Sequence, residues 1–123
     1  MDPDDIAALA RTFGVLQCDA CADAIQFALV QHGESARRIE IAMPRFGGLG
    51  MKGNIYADSG RFAGQNISTN GRHVAIEYLG RMYDNNFPDG VSRDDWLEHL
   101  VTRFGSISDA VQAGAMTLSE VAF

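Results

Sequence analysis

Residues 17–33, Gln17-Cys-Asp-Ala-Cys-Ala-Asp-Ala-Ile-Gln-Phe-Ala-Leu-Val-Gln-His-Gly33, decide how this chain is read. They hold both of its cysteines, Cys18 and Cys21, at the start of a segment with helical periodicity. Cys21, Ile25, Ala28 and Leu29 form one apolar stripe of period 3.6. Ala22 and Ala24 favour helix, and Asp19 is a candidate cap for its unpaired N–H groups. Gly33 is the stop, with His32 in the last turn, where a cation suits the helix dipole. This reading makes Cys21 the second helical residue and puts Cys18 just before the cap.

Several roles are open to the pair. Cysteine is among the most buried residue types, so Cys21 on an apolar stripe reads first as core. A helix start also stabilises an anion, and a thiolate there is a nucleophile. Zinc needs four ligands, and beyond the pair only His32, His73 and His99 remain, which disfavours a metal site. A Cys-x-x-Cys redox motif is a stronger rival, with Val15-Leu16 as a short strand before the helix. Such folds place a cis-proline opposite the pair, and neither Pro44 nor Pro88 has a context that suggests one.

Working outward, Asp2-Pro3-Asp4-Asp5 starts a first helix that carries Ile6, Leu9 and Phe13 and stops at Gly14. Arg38–Met43 alternates at period 2, so Ile39, Ile41 and Met43 share one face of a strand ended by Pro44. Residues 45–71 are Gly-rich loops around one short strand near Asn54–Ala57. His73–Leu79 is a strand, Gly80 breaks it, and Arg81–Asp84 is its hairpin partner. Ser92 caps a helix running to about Phe104, with Trp96, Leu97, Leu100 and Val101 as its stripe. A weaker helix covers about Ser108–Ala113, and the last residues suit helix or strand. Helices followed by strands give an α+β fold in a single domain over residues 1–123.

The bulk properties exclude several classes. The chain has 123 residues, enough for a real core, and a net charge of −6. Its longest basic run is Arg37-Arg38, so nucleic acid is not an expected partner. No apolar run approaches the roughly 20 residues that span a bilayer. The acidic start is unlike a secretory signal. The chain is expected to stay in a reducing cytosol or to leave it without a cleavable signal. Gly48–Gly53 matches a dinucleotide fingerprint by letter, but Asn-Ile-Tyr-Ala follows where a helix should, so no cofactor is expected.

A cysteine nucleophile needs a base, and the base needs an orienting group. His32 lies about 16 Å from Cys21 along the same helix at 1.5 Å per residue, too far to help. His99, between Glu98 and Leu100, reads as a solvated mid-helix residue. His73 opens a strand after the loop Thr69-Asn70-Gly71, where a base would be displayed. If Tyr78-Leu79-Gly80 is the hairpin loop, Glu77 pairs with Arg81 and His73 faces Asn85. Neighbouring registers bring Asp84 or Asn86 opposite, and the sequence does not choose among them.

The Cys-Ala-x-Ala-Ile helix start, the Gly-rich middle, His73-Val on a strand, Asp84-Asn85 after a Gly turn, and Pro88, Gly90 and Trp96 beyond resemble the papain-fold toxin domains of bacterial polymorphic toxin systems. More distantly, they are similar to papain-like proteases, transglutaminases and arylamine acetyltransferases. The resemblance spans about Phe13 to Leu100 and implies a papain-like fold, with N-terminal helices and the nucleophile at a helix start packed on a small antiparallel sheet. It implies Cys21 as nucleophile, His73 as base and then acid, and Asp84 as orienter. Gln17 would help an oxyanion hole with the backbone N–H of Cys21; Cys18 and Asn85 are the alternates. Papain-like proteases keep their Gln further upstream and pair their extra cysteine with a distant one, which Cys18 lacks.

The implied activity is a cysteine hydrolase of the protease or glutamine deamidase type, or an acyltransferase, working through a thioacyl intermediate. Its implied partners are a protein substrate and a cognate immunity protein. The rival readings are a Cys18/Cys21 thiol-disulfide module and a non-enzymatic binding domain with buried cysteines.

Overall fold

The computed structural model describes residues 1–43, 53–102 and 105–123. The expected strand end at Pro44, residues 48–52 of the fingerprint and the expected helix end at Phe104 lie outside them.

Helix α1 (Pro3–Ala10) starts as the sequence predicts: the Asp2 side chain accepts from the Asp4 N–H, and Pro stands at the first position. Ile6, Ala7 and Ala10 are buried. Helix α2 (Cys18–Gln31) carries Cys18, Cys21, Ala22, Ile25 and Leu29 on its buried side. It closes at His32 and turns away at Gly33, whose φ is 70°.

Strand β1 (Arg37–Ala42) buries Ile39 and Ile41, the alternation expected of it. Strands β2 (Ile55–Ala57) and β3 (Asn66–Ser68) follow, so the Gly-rich middle holds a second short strand. Strand β4 (Arg72–Tyr78) and strand β5 (Arg81–Tyr83) form the expected hairpin. Its register differs by one residue from the expected pairing: Tyr78 faces Arg81, Glu77 faces Met82 and Ile76 faces Tyr83. The loop is only Leu79-Gly80, with φ of 50° and 78°, a two-residue turn with both centres left-handed.

Helix α3 (Arg93–Glu98) is capped by Ser92, whose side chain accepts from the Asp95 N–H. It is shorter than expected. His99 caps its end, and Leu100–Thr102 form strand β6. Leu100 and Val101 pair with Ala57 and Tyr56, so cross-strand bonding overrides a helical spacing that a short apolar run cannot distinguish from strand. Strand β7 (Gly105–Ser106), helix α4 (Ile107–Gln112) and strand β8 (Thr117–Ala122) complete the order.

Where one small sheet is expected, the strands build two antiparallel sheets, β5-β4-β1-β8 and β3-β2-β6-β7. The mixture is α+β. Strand β4 is central and apolar on both faces. Val74, Ile76 and Tyr78 pack with Cys21, Ile25 and Leu29 of α2. Ala75, with Ile39 and Ile41, joins the second core around Ile55, Trp96 and Leu100. His73 heads this strand.

Candidate active site

The hairpin ladder ends at Ile76 and Tyr83. The chain then leaves the sheet, and Asp84 reaches back to the strand start. His73 Nε2 and Asp84 Oδ2 are 2.8 Å apart, both side chains fully buried. Had the ladder continued in its register, Asp84 would face Ala75, so the pair is a diagonal one rather than directly opposed.

A buried carboxylate is costly unless every lone pair is used, and Asp84 uses them all. Its Oδ2 also accepts from Trp96 Nε1 at 2.8 Å, and its Oδ1 accepts from the backbone N–H groups of Asn86 at 2.9 Å and Phe87 at 2.6 Å. Burial alone would raise its pKa. The His73 bond and charge, the Trp96 N–H and the Phe87 N–H outweigh burial and hold it below the usual carboxylate range. Trp96 also stacks on the imidazole, ring centres 5.7 Å apart and planes 25° off parallel.

For His73, burial works against the imidazolium, but Asp84 and then the Cys18 thiol lift its pKa to about 9. Among the described residues, His73 Nδ1 is buried without a hydrogen-bond partner. Catalytic hydrogen bonds are often long or poorly aligned in resting active sites and tighten on substrate binding.

The two cysteines differ sharply. The helix starts earlier than expected: Gln17 is the N-cap, Cys18 is the first helical residue, and Asp19 lies inside the first turn. Asp19 pairs instead with Arg72 at 2.9 Å, which ties the helix start to the head of β4 beside His73. Cys18 is 7% exposed. Cys21 is 0% exposed, in the core with Ile25 and Val74. Burial, the charge of Asp84 and the neighbouring Cys18 push its thiol up to about 12, against a smaller opposite pull from Arg61. The Cys21 N–H donates to the Gln17 carbonyl at 3.0 Å, so it is not free for an oxyanion. The Gln17 side chain accepts from the Gly14 N–H at 2.6 Å and makes no cap bond.

Sequence reasoning missed the clamps on the loop that delivers Cys18. Asn85 Nδ2 donates to the Gly14 carbonyl at 2.7 Å, and Arg61 donates to the Phe13 carbonyl at 2.6 Å. Asn85 Oδ1 is buried without a hydrogen-bond partner among the described residues. Leu16, between these clamps and the helix, has a left-handed φ of 69°, a strain of a kind found at functional sites. His99 is not solvated alone: its Nδ1 lies 2.8 Å from Asp58 Oδ1, away from this cluster in sequence and paired separately. Among the described residues, no three His, Cys, Asp or Glu side chains gather as metal ligands.

A thiol at a helix start, a buried imidazole and a fully bonded carboxylate, carried by an α+β fold in that chain order, define a papain-like domain. The chain belongs to the papain fold toxin 2 family, whose model matches residues 3–101. Neither the curated proteins nor the solved structures contain a match. Among the described residues, no helix is long and apolar enough to cross a membrane.

Proposed function

We propose that residues 1–123 form one cysteine-dependent hydrolase unit acting as a toxin on a protein substrate, with Cys18 as nucleophile, His73 as proton carrier and Asp84 as orienter. The observation that carries this reading is the buried His73–Asp84 bond at 2.8 Å, on an imidazole whose Nδ1 has no hydrogen-bond partner among the described residues and which also feels the Cys18 thiol. Cys18 replaces Cys21 in the role because Cys21 is sealed in the core and its thiol is pushed up to about 12.

With its pKa lifted to about 9, His73 carries a proton at neutral pH and stands as the acid of the reaction, and the species that attacks is the Cys18 sulfur as thiolate. The sulfur adds to a carbonyl carbon. The first N–H groups of α2 lack intrahelical partners and, on this reading, would stabilise the developing oxyanion together with the Gln17 carboxamide nitrogen. Each such donor contributes about 3 kcal/mol. His73 gives its Nδ1 proton to the leaving amine, and a thioacyl on Cys18 remains. Water then attacks, losing a proton to His73, and the acid leaves as the sulfur is freed. A peptide carbonyl makes this proteolysis; a glutamine side chain makes it deamidation, and an amine in place of water makes it acyl transfer. A cognate immunity protein, expected from the family, would hold the activity in check where the toxin is made.

Induced expression in bacterial cells tests the reading. The wild type and Cys21→Ala arrest growth, and Cys18→Ala and His73→Ala do not. Arrest by Cys18→Ala equal to the wild type sinks it.

A further inference from the structure

The mechanism leaves Cys21 without a task, although an alanine or valine would fill its place on the apolar stripe. Both cysteines are free thiols in the first turn of α2. We propose that Cys18 and Cys21 close a reversible disulfide that masks the nucleophile in oxidising surroundings and reopens on reduction, a redox switch on the active site. This rests on the reading of Cys18 as nucleophile.

The geometry of a helix permits the bond. Residues i and i+3 have Cα atoms about 5 Å apart by helix rise and radius, inside the roughly 4.4–6.8 Å that disulfides span. Their Cβ atoms stand about 5–6 Å apart in a regular helix and must close to about 4 Å. The first turn therefore has to tighten, and it is built to do so. Gln17 provides no side-chain cap, and Cys18, as the first helical residue, has no intrahelical bond on its N–H. The Cys21 end is held by its N–H bond to the Gln17 carbonyl. A disulfide closed under such strain is easily reduced, the mark of a labile rather than a structural bridge.

The oxidant is a small disulfide, R–S–S–R. The Cys18 thiolate attacks one of its sulfurs, forms a mixed disulfide and releases R–S⁻. Cys21 then loses its proton and attacks the Cys18 sulfur, and the second R–S⁻ leaves; both thiolates take up the protons given by the cysteines. Two protein thiols are oxidised and one small disulfide is reduced to two thiols. Because the Cys21 thiol is pushed up to about 12, the second step quickens as pH rises.

The test is incubation of the reduced protein with oxidised glutathione, followed by acid quench, iodoacetamide and peptide mass mapping. The wild type is expected to lose two hydrogens, keep no adduct and shield both cysteines from alkylation, with dithiothreitol restoring them. Cys21→Ala is expected to retain glutathione on Cys18. If that variant does not fold, the wild-type map decides alone. Wild type that keeps the adduct, or leaves both thiols open to alkylation, overturns the switch. The alkylation rate of Cys18 before oxidation, compared in wild type and His73→Ala, separates the premise from the switch. A His73-dependent Cys18 with no disulfide overturns the switch only; a closed disulfide on a His73-independent Cys18 overturns it through its premise.

Discussion

Trp96 Nε1 donates to Asp84 Oδ2 at 2.8 Å, the same oxygen that meets His73, while the indole ring lies against the imidazole. One aromatic residue thus fixes both members of the pair, one by its N–H and the other by its face. Trp96→Phe keeps the ring contact and removes the donor. A hydrogen bond to a buried charge is worth about 1.5–3 kcal/mol, so urea unfolding of the variant is expected to show a loss of that size. An unchanged midpoint would mean the bond carries no weight.

The pair also sets a pH dependence. His73 has a folded pKa of about 9 against an ordinary 6.5, so its folded form binds the proton more tightly. The resulting stability is complete below about pH 6.5 and is lost as pH rises through about 9. Its size is on the order of 3 kcal/mol. Asp84, with its pKa lowered, contributes in the opposite sense: its stability is present above the ordinary carboxylate range and lost as pH falls. Urea unfolding between pH 6 and 10 should show the alkaline decline in wild type and not in His73→Gln. A decline of equal size in both would assign it elsewhere.

Gly60 presses on the turn that carries Asp84. Its φ is +90°, and an added Cβ would stand 2.8 Å from the Asn86 carbonyl oxygen. Asn86 Oδ1 accepts from the Phe62 N–H at 2.8 Å, and its own N–H is one of the donors on Asp84. Gly60→Ala is expected to cost about 2 kcal/mol or more and to slow Cys18 alkylation. Gly64→Ala, at φ +80° with no described residue within 4 Å of the added Cβ, is expected to cost about 1 kcal/mol and leave alkylation alone. Equal effects from the two would remove the role given to the Gly60–Asn86 contact.

Leu79 spends conformational energy on the hairpin. It is 78% exposed and sits at φ 50°, where a branched side chain is disfavoured by about 1–2 kcal/mol. Asparagine suits that position of a two-residue turn. Leu79→Asn should raise the thermal midpoint by the equivalent of about 1 kcal/mol with no effect on Cys18 reactivity. A lower midpoint would show that Leu79 is held by a contact its exposure hides.

Much of this arrangement was legible in the residues. The helix 17–33, the β1 alternation, the Gly80 hairpin and the Ser92 cap all follow from local rules, and they bring His73 within reach of residues 84–86. The choice among those residues was not legible, because the two-residue Leu79-Gly80 turn shifts the pairing by one and Asp84 acts after the ladder has ended. The proposed preference for Cys18 over Cys21 rests on burial and on where α2 begins. Asp19 is the better cap by type, yet Arg72 takes its carboxylate, and the clamps from Asn85 and Arg61 fix the preceding loop. Starting the helix at Cys18 rather than Ala20 changes each cysteine's place in the first turn. Strand β6 was missed for a similar reason: its partner β2 is some 45 residues earlier and invisible to a local reading.

Alkylation of the reduced wild-type protein by iodoacetamide at pH 7, with each cysteine mapped by mass, tests the assignment of the nucleophile most directly. Cys18 should react first, Cys21 should stay protected while the protein is folded, and His73→Ala should slow Cys18 at least about tenfold, a rise of about 1.4 kcal/mol in the barrier. Reaction of Cys21 ahead of Cys18, or a Cys18 rate indifferent to His73, would contradict it.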